Sequence, residues 1–176
     1  MLAKAKKILD KSLELLVTVS MGVLVLDVVW QVLTRYVLKN PSSWTEELAT
    51  FLMIWVGLLG ASVALNRGAH LGIDYLVTKL SPRKALYAAL FVFASITVFS
   101  LLVMVVGGGQ LVLRTLITKQ VSPALGLKMG YVYLAIPISG FFLVLYGLEI
   151  FIDTLTALIK HRESGELHIF KSGTLD

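Results

Sequence analysis

Four long apolar segments constrain this chain more than any other feature of its sequence. The most extreme runs from Ala85 to Leu113 without one charged residue, although a helix needs only ~20 apolar residues to cross a bilayer. The other three cover residues 15–37, 48–65 and about 129–153. Because 57% of the chain is apolar and only 15% is charged, a soluble domain of this size could not bury so much apolar surface. The sequence therefore predicts an all-α membrane protein with four transmembrane helices.

We expect one transmembrane domain, residues 1–160, followed by a short polar tail, residues 161–176. The third segment is longer than one straight crossing requires, so that it must tilt or leave the membrane at Gly107–Gly109. Pro137 lies inside the fourth segment and predicts a kink, because proline cannot donate the backbone hydrogen bond of a helix.

Lysine and arginine are distributed unevenly between the two sides that four spans create. Most of them lie before the first span, between the second and third spans, or after the fourth. The positive-inside rule then predicts that both termini are cytoplasmic. This topology accounts for the net charge of +5, so that no nucleic-acid partner is expected. The first span lacks an Ala-x-Ala type cleavage site after it, which indicates a retained signal anchor.

Two shorter segments have the pattern of helices that lie along a membrane surface. Up to Leu16, lysines occupy one helical face and apolar residues another, which predicts an N-terminal amphipathic helix on anionic membrane lipids. A second interfacial helix is predicted between the second and third spans, where apolar residues recur at helical spacing from Ile73 to Leu80. Ser81 and Pro82 are expected to be the N-cap and first residue of the third span.

Asp27, Gln31 and Arg35 are spaced four residues apart and therefore share one face of the first span. A carboxylate near the middle of a span is costly in lipid and usually faces protein or water. Asp27 is either a proton- or sodium-coupling group or a packing contact to a neighbouring helix or partner subunit. Arg35 lies too far along the helix to pair with Asp27 and is expected at the outer interface.

Two carboxylates and a tryptophan immediately precede the second apolar segment. Ser43 and Glu46 have the spacing of a capping box, and Glu46 and Glu47 are placed where the helix dipole favours negative charge. Trp44 is expected at the level of the lipid headgroups. These roles explain the residues without a bound ion.

The sequence contains few candidates for chemistry. Arg67, His70 and Asp74 are close together, but a metal site there would need ligands from elsewhere, and a hydrogen bond across one helical turn is the simpler interpretation. The absence of cysteine excludes disulfides and thiolate ligands. We identify no nucleotide loop and no nucleophile–base pair, so we expect neither a cofactor nor an enzyme.

Taken in order along the chain, several motifs resemble the small membrane subunit, of the DctQ type, of tripartite ATP-independent periplasmic (TRAP) transporters. They are Arg35-Tyr36, Trp44-x-Glu46-Glu47, Trp55 and Gly57 with Gly60-Ala61, Arg67-Gly68-x-His70-x-Gly72-Ile73-Asp74, Ser122-Pro123-Ala124-Leu125-Gly126 and Tyr133-Leu134-Ala135-Ile136-Pro137. The resemblance covers most of the chain. Lys128-Met129 departs from it, since many relatives place a proline there.

The resemblance implies an accessory subunit in a bacterial inner membrane, without a substrate site of its own. In that family a periplasmic binding protein (P type) delivers an organic acid to a large permease subunit (M type). The large subunit imports it with a sodium gradient by an elevator-type motion. The small subunit is then expected to pack on the static scaffold and to help dock the binding protein. The interface candidates are Asp27, Gln31, Arg35, Trp44, Glu46, Glu47, Arg67, His70 and Asp74.

Two questions stay open at this point. The substrate could be a C4-dicarboxylate, sialic acid or another sugar acid. The alternative function is a self-contained small ion or proton channel that uses Asp27 in an oligomer.

Overall fold

The apolar segments form long helices in the computed structural model, which describes residues 2–40, 42–67 and 82–164 and the side chains of 6–40, 42–67 and 84–159. The helices are α1 (Leu2–Tyr36), α2 (Ser43–Asn66), α3 (Pro82–Phe99), a π-helical segment (Ser100–Gly107), α4 (Gly108–Ile117), α5 (Met129–Tyr133) and α6 (Ala135–Ser164). We call α1 span 1, α2 span 2, α3 through α4 span 3, and α5 with α6 span 4. All four spans are long and apolar enough to cross a membrane, which confirms the predicted class.

The ends of the spans differ in part from the prediction. Helix α1 runs without a break from Leu2 to Tyr36, so that the N-terminal amphipathic segment is the first part of span 1 and not a separate helix. Helix α6 extends to Ser164, four residues into the predicted tail. Pro82 is the first residue of α3. The predicted interfacial helix at residues 73–80 and the N-cap Ser81 lie outside the described residues.

The four spans lie in a row in the order 1, 2, 4, 3. Among the described residues, Cα atoms of span 1 come within 8 Å of span 2 but not of span 3 or span 4. Span 2 also approaches span 4, and span 4 approaches span 3. In the most apolar stretch of each span, 6% and 11% of the residues are buried in the edge spans 1 and 3. The corresponding shares are 17% and 28% in the central spans 2 and 4. Most of the apolar surface therefore faces outward, towards lipid or a partner.

Glycines allow spans 3 and 4 to approach closely. A Cβ atom added to Gly140 would lie 2.6 Å from the Cβ of Met104, and one added to Gly108 would lie 2.7 Å from Ile136 Cγ2. A Cβ atom added to Gly147 would lie 2.6 Å from the hydroxyl oxygen of Thr97. Small residues at such contacts let helix backbones pack tightly where lipid offers no hydrophobic driving force.

The sequence predicts irregularities at Gly107–Gly109 in span 3 and at Pro137 in span 4. Span 3 does not end at Gly107–Gly109; it widens into the π-helical segment and continues as a helix to Ile117. It therefore extends for about 50 Å, more than the ~30 Å of a hydrocarbon core. Span 4 is interrupted at Leu134, three residues before Pro137. Pro137 cannot donate to the carbonyl of Tyr133, which explains the interruption, and the kink of span 4 stays a prediction.

Consecutive spans are antiparallel, so that each end of the row has its own set of connections. We call residues 37–47 and 118–129 the Glu47 end, and residues 6–14 with Arg67 and Tyr146–Glu149 the Asp10 end. A buried apolar cluster of Leu13, Leu59, Leu65 and Tyr146 lies near the Asp10 end. At the Glu47 end, hydrogen bonds connect span 2 with the loop between spans 3 and 4.

Candidate functional site

Span 3 ends at the Glu47 end in a helix-terminating turn. The Lys119 N–H donates to the Leu116 carbonyl and the Gln120 N–H to the Thr115 carbonyl, both at 3.2 Å. This is the pattern of a Schellman motif. Lys119 has a φ of 53°, in the left-handed region where glycine is usual, and its charge lies favourably beside the helix C-terminus.

The connection that follows, the span 3–4 loop (residues 118–128), is organised around the buried Ser122. The Ser122 N–H donates to the Leu127 carbonyl at 2.8 Å, and the Gly126 N–H donates back to the Ser122 carbonyl at 3.0 Å. The Ser122 hydroxyl accepts from the Leu127 N–H at 3.2 Å. An antiparallel bridge between Val121 and Lys128 closes the neck. Gly126, with a φ of +64°, takes a turn conformation that a side chain would strain.

Glu47 joins this loop to span 2. Its carboxylate accepts the Ala124 N–H at one oxygen and the Leu125 N–H at the other, each at 3.0 Å. Hydrogen bonds to an ionised acceptor are stronger than neutral ones, and two parallel bonds also fix orientation. Because the loop connects spans 3 and 4, Glu47 links span 2 to the other half of the row.

An open groove of about 510 Å³ runs beside this contact. Its lining residues are Ser43, Glu46, Glu47, Thr50, Phe51, Ser122, Pro123, Ala124 and Met129. None of these lining residues is cationic, and Glu46 is exposed. Because the groove is open, it would not enclose most of the surface of a small molecule, as ligand pockets usually do.

The capping box predicted for Ser43 and Glu46 is not formed among the described residues. Helix α2 begins at Ser43, its N-cap is Ser42, and the Ser42 side chain makes no capping hydrogen bond. The Thr45 hydroxyl donates to the Ser42 carbonyl at 2.8 Å, and the two hydroxyls are 2.7 Å apart. The Ser42 hydroxyl thus bonds to Thr45 and does not accept a backbone N–H, while Glu46 stays exposed. The headgroup position of Trp44, which is exposed, stays a prediction.

The three polar residues predicted to share one face of span 1 differ in their exposure. Asp27 is only 7% exposed, and neither of its carboxylate oxygens has a hydrogen-bond partner in the described part of the chain. Gln31 is half-buried on the same face, whereas Arg35 is exposed and Thr34 takes the next buried position. Asp27 and Gln31 therefore lie towards span 2, the neighbour of α1, and Arg35 does not.

A second set of polar contacts ties span 1 to spans 2 and 4 at the Asp10 end. The Arg67 guanidinium pairs with Glu14, with an Nε to Oε1 distance of 3.0 Å. The Tyr146 hydroxyl donates to Asp10 at 2.6 Å, and Lys6 pairs with Glu149. The residues that were grouped with Arg67 in the sequence, His70 and Asp74, lie outside the described residues.

Sequence reasoning missed Ser122, Asp10 and Tyr146 as structural residues. Asp10 is four residues from Glu14 and three from the buried Leu13, so that its place on the inward face of α1 could have been noticed. The contact of Glu47 with the loop has no local signal, since its partners are far away in sequence. In the residues that the structure describes, no three His, Cys, Asp or Glu side chains are grouped as metal ligands.

Comparisons with known proteins agree with this architecture. The model of the DctQ component of tripartite ATP-independent periplasmic transporters matches residues 24–157. The sialic acid TRAP transporter small permease protein SiaQ of Vibrio cholerae is 28% identical over 162 residues, which are 92% of each chain. The C4-dicarboxylate TRAP transporter small permease protein DctQ of Rhodobacter capsulatus is 29% identical over 125 residues, 70% of this chain and 55% of that protein.

A shorter match involves a larger protein. The sialic acid TRAP transporter permease protein SiaT of Haemophilus influenzae is 48% identical over 54 residues, 31% of this chain and 9% of that protein. The family match begins within span 1 and ends within α6, so that it includes residues of every span. The chain is therefore a multi-pass membrane protein that belongs to the DctQ component family of tripartite ATP-independent periplasmic transporters.

Proposed function

We propose that this chain is the accessory small subunit of a sodium-coupled TRAP transporter that imports an organic acid. The observation that carries the proposal is the open row of four spans. Such a row has two broad apolar faces, and its buried polar groups in the described residues are Asp27 and hydroxyls spread over different spans. This arrangement suits a wall that widens the static scaffold of a larger membrane subunit, whereas a substrate pathway would need clustered polar groups.

The partner that we propose for the apolar faces is a large permease subunit. The match to SiaT supports this assignment, because a segment similar to this chain there makes up only 9% of a protein named as a permease. A segment inside a longer permease chain is held beside the rest of that permease by covalent linkage. The large subunit would carry the substrate and sodium sites and make the elevator motion.

The Glu47 end is the surface that we propose for a periplasmic binding protein. If both termini are cytoplasmic, as the charge distribution predicts, the Glu47 end lies on the periplasmic side of the bacterial inner membrane. The groove beside Glu47 and the folded span 3–4 loop would then be accessible to the binding protein from the periplasm. Sialic acid and C4-dicarboxylates are the first substrates to try, because they are named for SiaQ and DctQ.

Reconstitution into liposomes tests the proposal. We expect no uptake from this chain alone, and uptake that needs the large subunit, the binding protein and an inward sodium gradient together. Omitting this chain from the complete mixture is the matched control. Uptake at the full rate without this chain, or coupled uptake by this chain alone, would refute the accessory role.

A second candidate, an ion or proton channel built from copies of this chain, depends on Asp27. Asp27 is only 7% exposed in α1, whose neighbour in the row is span 2. A pore between copies requires an exposed carboxylate, so the geometry favours the accessory role. Conductance across bilayers that contain only this chain, abolished by Asp27→Asn, would reverse that preference.

A further inference from the structure

We infer that Glu47 is a positioning residue: it holds the span 3–4 loop in the shape on which the binding protein docks. We further infer that the docking contact is made by the lysines and apolar side chains of the loop with an acidic face of that protein. The inference rests on the docking role proposed above. It separates two neighbouring carboxylates, Glu46 and Glu47, by what each one contacts.

The first step concerns the hydrogen bonds of Glu47. Both of its carboxylate oxygens are occupied by backbone N–H groups of consecutive loop residues, Ala124 and Leu125. These two bonds join the loop to span 2 between residues that are 77 and 78 positions apart in the sequence. The two bonds hold the Glu47 carboxylate against the loop, whereas the neighbouring Glu46 is exposed.

The second step concerns the surface that the loop then presents. Lys119 and Lys128 are exposed on the two sides of its neck. Val121 and Leu127 are 58% and 45% exposed beside them, and residues 118–128 contain no acidic residue. Lys39 adds another exposed cation at the same end of the row. A surface of this charge is complementary to carboxylates on a partner.

The third step concerns why the partner is a protein. The lysines could also lie against lipid phosphates, and a basic segment does that without a fixed backbone. Here the loop backbone is fixed three times: by Ser122 inside it, by the bridge between Val121 and Lys128, and by Glu47 from outside. A preorganised surface reduces the entropy cost of binding a protein partner.

The experiment uses the assembled complex of this chain with its large subunit. Because the chain has no cysteine, Gln120→Cys provides one attachment point in this subunit for a spin label, with the large subunit made cysteine-free. Glu47→Gln is the test variant, since its amide nitrogen is itself a donor and cannot accept the second loop N–H. Glu46→Gln, the same change one residue away, is the matched control. The dissociation constant of the binding protein and the mobility of the label are measured for each complex.

We expect Glu47→Gln to make the label more mobile and to weaken binding about tenfold, while Glu46→Gln changes neither quantity. The double variant Lys119→Glu with Lys128→Glu should weaken binding at low salt and leave the label as it is. If the Glu47→Gln complex does not assemble, Glu47→Asp replaces it. Aspartate keeps the charge but shortens the reach, so the label should again become mobile.

Three results would overturn the inference. The first is equal loss of binding in Glu46→Gln and Glu47→Gln with an unchanged label, since Glu47 would then act as a docking charge. The second is unchanged binding in the lysine variant with weaker attachment to anionic vesicles, which would assign the loop to lipid. The third is a label that stays immobile in Glu47→Asp. Failure of the proposed function looks different, because the unmodified complex would then not bind the binding protein at all.

Discussion

Replacing Gly140 by alanine should destabilise the contact between spans 3 and 4. The new Cβ would lie 2.6 Å from Met104 Cβ and 3.2 Å from the backbone nitrogen of Val105, whereas carbon atoms pack at about 3.5–4.0 Å. Neither neighbouring atom is the end of a flexible side chain, so the helices must separate by about 1 Å. Overpacking of this kind costs about 1–3 kcal/mol.

The gain in helix propensity opposes this cost and can be subtracted with a control. Alanine is better than glycine inside a helix by up to about 1 kcal/mol. Gly57, in span 2, has no atom within 4 Å of an added Cβ, so that Gly57→Ala receives the gain without the clash. The difference between the two variants therefore isolates the overpacking cost, about 1–3 kcal/mol.

The free energy of unfolding of the isolated chain in detergent micelles, followed by far-ultraviolet circular dichroism during denaturant titration, measures this difference. We expect Gly57→Ala to be the most stable form and Gly140→Ala the least. Equal stability of the two variants, or the reverse order, would refute the close approach of spans 3 and 4 at this glycine.

Three further predictions concern polar groups. Tyr146→Phe removes a hydrogen bond to the carboxylate of Asp10 and should lower the free energy of unfolding by about 1.5–3 kcal/mol; the exposed Tyr131→Phe is the control, and an equal loss there would contradict the assignment. Glu14→Gln breaks an exposed ion pair and should cost less than about 1 kcal/mol in the same titration, so that a larger loss would show a less solvated pair. Asp27→Asn should leave stability unchanged or raised, because no described donor stabilises that carboxylate, and uptake by the full complex should keep its dependence on sodium; loss of that dependence would return Asp27 to the coupling role.

The features that the sequence could predict are local ones. Composition and run length are enough to locate four spans, and the missing N–H of Pro137 is enough to predict the interruption of span 4. The position of Asp27 on an inward face followed from its cost in lipid. Each of these depends on a residue and its immediate neighbours or solvent.

Features that depend on distant residues could not be predicted. Glu47 has the position of a helix-dipole residue, but its carboxylate bonds to Ala124 and Leu125, which only the folded row brings near. The capping box failed for a local reason, because the hydroxyls of Ser42 and Thr45 pair with each other and this pair competes with backbone capping. Arg35 was placed on a shared face by spacing alone, although that face turns towards span 2 only as far as Thr34. The order of spans in the row likewise has no signature within any one span.

The order of the row has a consequence for biogenesis. As the chain leaves the translocon, spans 1 and 2 can pair at once, because they are neighbours in both sequence and space. Span 3 emerges next, but among the described residues span 4 is the span whose Cα atoms come within 8 Å of it. Span 3 therefore stays unpaired in the bilayer, with its glycines facing lipid, until span 4 has been synthesised. A chain that stops before span 4 would leave a finished hairpin beside an unpaired third helix, the state in which quality-control proteases should recognise it.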